Sequence, residues 1–159
     1  MIRLATLTTL GILFLAVVGW RQALRVHDFS SLPRGNVLKV HYYSSGCFNQ
    51  DEYEFTFRRD RDLTVNALEN AKSPSKYYGG KTLSKDEVGK LDALLNFYRH
   101  VKRGGCTTVD TVTFTEYHGS KVVATESYRD ATCSTYDNDS LLTFGELETL
   151  IMHANDEAP

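Results

Sequence analysis

Proline and cysteine are scarce in this sequence, and neither sign of charge dominates it. Its 159 residues include three prolines and three cysteines, and 18 basic against 20 acidic residues leave a formal net charge of −2. With 42% hydrophobic residues and so little proline, the composition excludes a disordered or collagen-like chain. The near-neutral charge offers no electrostatic basis for nucleic-acid binding, so we expect no nucleic-acid partner.

The sequence also lacks a catalytic signature. Its five histidines are scattered, and no two stand at the i, i+4 spacing of a zinc-binding helix. Cys47 is the only candidate nucleophile, with His41 on the adjoining predicted strand, but the residues around Cys47 match no known nucleophile motif. We therefore predict a protein that is not an enzyme, with no catalytic residue, bound metal or cofactor. A small enzyme that uses Cys47 is retained as an alternative.

One long uncharged run lies near the amino terminus. Residues 4–20 are 17 consecutive residues without a charge, followed by Arg21 and Arg25. The hydrophobic region of a signal peptide has about 7–15 residues, whereas a membrane-spanning helix needs about 20. Residues 1–27 are therefore expected to be either a signal peptide cut after Gly19 or a retained hydrophobic helix that contacts the membrane through residues 4–20. Both alternatives predict an exported domain.

A single domain is expected after this segment. The roughly 130 residues that remain suffice for one hydrophobic core and are too few for two. Residues 28–36 are rich in serine, proline and glycine and are predicted to be a linker. Residues 37–154 are predicted to be the domain, and residues 155–159 a disordered tail.

Alternating apolar and polar side chains predict the first strands of this domain. The alternation runs through Val37–Tyr43 and Glu52–Arg59, and it resumes at Leu63. Residues 69–81 contain a proline and a glycine pair and are predicted to be a loop.

Two capping boxes predict where the helices begin. Ser84 stands three residues before Glu87, and Thr143 three residues before Glu146, each ahead of apolar residues at helical spacing. The predicted fold class is α+β: an antiparallel sheet of four to five strands, formed by two hairpins, with two helices packed on one face. A hydrophobic helix at the amino terminus would precede it.

The second of these hairpins is predicted from its turn. Gly119-Ser120 suits a type II′ turn, which requires glycine at its first central position. The register that follows from this turn places Asp110 opposite Arg129, a favourable pair of opposite charges.

The same register places Cys106 opposite Cys133. Because disulfides persist in exported proteins, we predict a bridge between these two cysteines. A bridge from Cys47 to either of them is the alternative.

Aromatic and acidic residues in the predicted loops are the candidates for contact with a partner protein. Loops on a rigid scaffold often carry binding residues, and aromatic side chains contribute much of the energy of protein interfaces. The candidates are Phe48, Tyr77, Tyr78, Tyr136, Asp137 and Asp139.

Three stretches carry a resemblance to known proteins: Ser44–Phe48 between two strands, the helix that ends in Phe97–Arg99, and the strand Cys106–Asp110. Their layout resembles small exported bacterial envelope domains, among them periplasmic immunity proteins, which bind and block antibacterial toxins. The resemblance implies a non-catalytic inhibitor in the bacterial periplasm that binds a secreted effector. The alternative is a membrane-anchored accessory subunit of an envelope complex.

Overall fold

The computed structural model describes residues 25–46, 50–69, 76–101, 104–132 and 138–156. These residues form a 3-10 turn at Phe29–Ser31, six strands and two helices. The elements are, in chain order, β1 (Asn36–Ser45), β2 (Gln50–Arg59), β3 (Leu63–Glu69), β4 (Lys76–Thr82), α1 (Lys85–His100), β5 (Val109–His118), β6 (Lys121–Asp130) and α2 (Phe144–Asp156).

The strands form one antiparallel sheet in the order β4-β3-β2-β1-β5-β6. The prediction of four to five strands is wrong, because all of β4 except Thr82 lies within the stretch that was expected to be a loop. Glycine weakens a strand but is accepted where another group approaches the backbone closely. At Gly80 an added Cβ would lie 2.8 Å from Oδ1 of Asn66 on β3. The glycine that suggests a loop in the sequence therefore lets β4 lie close to β3.

The predicted hydrophobic helix at the amino terminus lies outside the described residues. Among the residues that are described, no helix is long and apolar enough to cross a membrane.

Both helices cover the same face of the sheet, where the core lies. Phe144, at the start of α2, has its ring centroid 5.3 Å from that of Phe55 on β2 and 6.1 Å from that of Phe114 on β5. Tyr98 of α1 lies 6.3 Å from Phe144 and also contacts Phe114. This aromatic cluster ties both helices to the central strands.

The predicted linker at residues 28–36 is part of this core. Phe29 is 0% exposed and Leu32 1% exposed, and the Phe29 ring meets that of Phe57 edge-on at 4.7 Å. Nη2 of Arg59 donates to the carbonyl oxygen of Phe29 at 2.7 Å. Serine, proline and glycine indicate a break in regular structure here, but they do not prevent the neighbouring apolar side chains from being buried. The domain thus begins before residue 28.

The β5–β6 hairpin has the predicted turn but a different register. His118 pairs with Lys121, and the pairing then shifts by one residue between Glu116 and Tyr117. Such a bulge adds a residue to one strand and moves every later pair. Asp110 consequently faces Asp130 rather than Arg129, so the expected pair of opposite charges is wrong.

This shift also removes the register argument for the predicted disulfide. Cys106 is disulfide-bonded, and its backbone N–H donates to the carbonyl oxygen of Ala131 at 2.8 Å. Cys47 and Cys133 both lie outside the described residues. The pairing of Cys106 with Cys133 therefore stays a prediction.

Strand directions give the sheet two distinct ends. The hairpin end holds the start of β1 at Asn36 and the turn between His118 and Lys121. The pocket end holds Ser44 of β1, which pairs with Asp51 of β2 on one side and with Asp110 of β5 on the other.

Candidate functional site

A pocket of about 320 Å³ opens at the pocket end of the sheet, beside the first turn of α2. Three carboxylates line it, from Asp51, Asp110 and Glu148, together with polar groups from Ser44 and Thr143. The aromatic residues of its wall are Tyr42, Tyr53, Tyr98 and Phe144. We refer to this cavity as the acidic pocket.

Strand pairing and one helical turn bring the three carboxylates together. Asp51 is on β2 and Asp110 on β5, the two neighbours of β1. Both residues pair with Ser44 of β1, one from each side. Glu148 follows Phe144 by four residues on α2, and residues at this spacing share one face of a helix. Because Phe144 is only 1% exposed and anchors α2 in the core, Glu148 is placed over the same end of the sheet.

Two tyrosines near Glu148 have raised pKa values: Tyr53, in the wall of the pocket, and Tyr78, outside it. Burial and the negative charges of Glu148, Glu69 and Asp51 raise the pKa of Tyr53 far above its usual value. Burial raises the pKa of Tyr78 to about 12, assisted by its hydroxyl donating to Oε2 of Glu69 at 2.9 Å. Like ordinary tyrosines, both phenols are hydrogen-bond donors at neutral pH, and the raised pKa values extend this to alkaline pH.

The charge of the acidic pocket favours a positively charged ligand group. Among the described residues that line it there is no lysine, arginine or histidine. Carboxylates form short, strong hydrogen bonds with guanidinium and ammonium groups, and arginine binds a carboxylate through two parallel bonds. The cavity thus has the chemistry to hold a lysine or arginine side chain.

The predicted partner-binding residues lie elsewhere. Tyr77 is 63% exposed on the edge strand β4, whereas Tyr78 is 7% exposed and points into the core, so strand alternation separates the two side chains. Asp139 is exposed and lines a second cavity, of about 480 Å³, beside Leu142 at the start of α2. None of these three lines the acidic pocket. Phe48, Tyr136 and Asp137 lie outside the described residues.

No family model, curated protein or solved structure matches this chain. The interpretation of the site therefore depends on its own geometry and chemistry.

A second polar cluster lies at the hairpin end, around the fully buried carboxylate of Glu116. The backbone N–H of His27 donates to it at 2.8 Å, and the Nδ1 of His27 lies 2.8 Å from Oε1. The side-chain amide of Asn36 donates to Oε1 at 2.5 Å, and Nδ1 of His118 lies 2.7 Å from Oδ1 of Asn36. Burial opposes the ionisation of Glu116, but these hydrogen bonds outweigh it and hold its pKa below the usual value.

Sequence reasoning missed both clusters. Their members are far apart in the chain, as Glu116 and His27 are 89 positions apart. The sequence signal was that Asp110 and Glu116 occupy apolar positions in the alternation of β5, where a charged residue requires buried partners.

His41, the predicted partner of a reactive Cys47, has a different neighbour. Its Nε2 lies 2.8 Å from Oε1 of Glu52 on the helix-free face of the sheet. Cys47 is outside the described residues. No group of three histidine, cysteine or acidic side chains suited to a metal ion occurs in the part of the chain that the structure describes.

Proposed function

We propose that this protein is a non-catalytic inhibitor or immunity protein of the bacterial periplasm, and that it binds a partner protein through the acidic pocket. The observation that carries the proposal is the set of three carboxylates, from Asp51, Asp110 and Glu148, around one cavity. An arginine or lysine of the partner, such as a secreted antibacterial effector, would insert there.

The energetics of protein interfaces support this mode of binding. A few anchor residues usually dominate affinity, and arginine is among the most frequent of them, seated in a pocket that excludes water. The pocket supplies carboxylates for the guanidinium and aromatic walls for its planar faces. Its rim is built on strands and a helix, so little conformational entropy is lost on binding.

The position of the acidic pocket in the fold suits an exported protein held at a membrane. The chain enters the domain at the hairpin end, where Val26 is 3% exposed and its carbonyl oxygen accepts from Nη2 of Arg99 at 2.8 Å. A ten-residue strand spans about 33 Å. If residues 4–20 bind the membrane, as we propose, the acidic pocket can lie about that far from the bilayer and open toward the periplasm.

The test is affinity capture of the tagged full-length protein from its native envelope, followed by mass spectrometry. We expect one stoichiometric secreted enzyme to be captured and its activity to fall as the protein is added. The double substitution Asp51→Asn/Glu148→Gln removes two negative charges with almost no change of shape. It should weaken partner affinity at least about tenfold, because hydrogen bonds to charged groups contribute about 1.5–3 kcal/mol each.

A matched control is Glu54→Gln, which removes a carboxylate from the helix-free face, where Glu54 binds Lys39 at 2.7 Å. This control should retain full affinity. Unchanged affinity of the double variant, with its fold intact, would contradict a role for the pocket. Capture of a set of membrane proteins instead of one secreted enzyme would contradict the inhibitor and favour an accessory subunit.

A further inference from the structure

The tip of the β5–β6 hairpin exposes two adjacent apolar side chains. Val122 is 50% exposed and Val123 40% exposed, and the bulge in β6 lies at this point. With Tyr77, they are the large hydrophobic residues that the described part of the chain leaves exposed. Isolated exposed apolar residues are common on proteins, so these valines indicate a binding surface only if the residues around them support one.

These valines lie beside the point where the chain joins the domain. Arg25 and Val123 line the same surface cavity, of about 340 Å³. Arg99 also lines it and donates to the carbonyl oxygen of Val26, the residue after Arg25. Trp20 closes the uncharged run and precedes Arg25 by five residues. Even a fully extended chain spans at most about 18 Å over five residues. The hairpin tip therefore lies close to wherever residues 4–20 are held.

Exposed basic residues surround the tip. Arg25, Arg34 and Lys121 are exposed basic residues at this end, and Arg34 lies two positions before Asn36, which pairs with His118. The nearby acids are engaged within the domain: Asp28 and Glu126 share Arg99, at 2.6 and 3.1 Å, and the buried carboxylate of Glu116 accepts from His27 and Asn36.

Two exposed acidic residues at this end of the sheet lie further from the tip. Asp60 and Asp62 lie in the turn between β2 and β3, and β1 separates β2 from β5. At about 4.8 Å per strand, this turn is roughly 10–15 Å from the hairpin. The hairpin side of the domain thus presents basic and apolar groups together.

We propose that the hairpin tip, residues 119–123, docks against an anionic lipid surface beside residues 4–20. The two valines enter the boundary between headgroups and acyl chains, while Lys121 and Arg25 bind lipid phosphates. This second contact orients the domain so that the acidic pocket points away from the membrane. The inference rests on the membrane contact of residues 4–20 in the proposed function.

A single-tryptophan experiment tests both contacts in the full-length protein. Trp20 is the only tryptophan in the sequence, so the unmodified protein reports on the uncharged run. The variant Trp20→Phe/Val122→Trp moves the reporter to the hairpin tip, where a half-exposed position accepts a larger ring. Fluorescence is measured in vesicles of phosphatidylethanolamine and phosphatidylglycerol, with brominated lipids as quenchers.

The matched control is Trp20→Phe/Ser127→Trp, with the reporter on an exposed position of the same strand. Ser127 is five residues beyond Val122, or about 16 Å further from the tip. We expect quenching of the Val122→Trp reporter to exceed that of the control at least about twofold, since interfacial groups lie about 5–10 Å into the boundary region. Adding Lys121→Glu, or using vesicles of neutral lipid, should lower it.

Each of the other outcomes would contradict one part of the proposal. If Trp20 itself is not quenched, residues 4–20 do not contact lipid, and the docking proposal fails with its premise. If Trp20 is quenched but Val122→Trp behaves as the control, the hairpin does not dock, and the membrane contact of residues 4–20 stands. Equal quenching in neutral and anionic vesicles would contradict the role of Lys121 and Arg25.

Discussion

Glu116 is a fully buried carboxylate whose hydrogen-bonding groups come from distant parts of the chain. His27 and Asn36 supply three polar groups to it, and Asn36 passes the contact on to the exposed His118. A buried charge is costly unless it is paired and hydrogen-bonded. The carboxylate therefore ties His27 and Asn36 to β5. If either moved away from Glu116, a buried charge would lose its hydrogen bonds.

The substitution Glu116→Gln tests this at the scale of one residue. Glutamine replaces one carboxylate oxygen by an NH2 group, which cannot accept from His27 or Asn36, so we expect the free energy of unfolding at pH 7 to fall by about 1.5–3 kcal/mol. Because the pKa of Glu116 in the folded protein is lowered, its contribution is present above the unfolded carboxyl pKa and is lost as the pH falls through the folded pKa.

Urea unfolding at pH 7 and in steps down to strongly acidic pH measures the effect. The difference between Glu116→Gln and the unmodified protein should shrink as the pH falls, and Glu54→Gln, on the exposed face, should show little difference at any pH. A deficit in Glu116→Gln that stays constant with pH would exclude an ionised carboxylate as its cause.

At the scale of elements, α1 is the part that local sequence determines best. The predicted capping box is confirmed: the hydroxyl of Ser84 accepts from the N–H of Glu87, and the Glu87 carboxylate accepts from the N–H of Ser84 at 2.7 Å. Each bond joins groups three residues apart, which is why the sequence alone predicts it.

Substitutions at Ser84, the N-cap of α1, and at Gly89 within it should change stability in opposite directions. Ser84→Ala removes the cap and should lower the free energy of unfolding by about 1 kcal/mol, and Ser84→Asp, which keeps an acceptor, should restore most of it. Gly89→Ala, at an exposed position where an added Cβ meets nothing within 4 Å, should raise it by up to about 1 kcal/mol. Thermal unfolding followed by circular dichroism checks both. A neutral Ser84→Ala would show that tertiary contacts, rather than the cap, hold this end of α1.

Strand β4 and the hairpin register show where local patterns stop being sufficient. In the described sheet, β4 is an edge strand that pairs with β3. Its Gly80 suits the close approach of Asn66, so its sequence does not alternate as the central strands do. The bulge near Val123 depends on how the whole of β6 meets β5, and the turn residues cannot reveal it.

At the scale of the whole molecule, the segment before β1 closes the hydrophobic core. The Phe29 ring contacts those of Phe57 and Phe114, which lie on different strands, and the 3-10 turn that carries it rests against α1. We expect Phe29→Ala to lower the free energy of unfolding by about 3–5 kcal/mol, as for other fully buried aromatic residues.

The same contacts predict where the chain can be shortened. A chain starting at residue 25 should give a folded NMR spectrum, whereas one starting at residue 37, the predicted domain boundary, should not. A folded chain from residue 37 would show that the core closes without Phe29 and Leu32.

By itself the sequence determined the features that depend on near neighbours: which stretches alternate as strands, where α1 begins, and that the β5–β6 turn lies at Gly119-Ser120. Only the tertiary structure decided the features that join distant residues. These are the sixth strand, the burial of residues 28–36, the pairing of Asp110 with Asp130, and the acidic pocket. The physical reason is that alternation and capping act over two to four residues. The pocket forms only when strand pairing brings Asp51 and Asp110 to one end of the sheet and α2 packs with Glu148 at the same end.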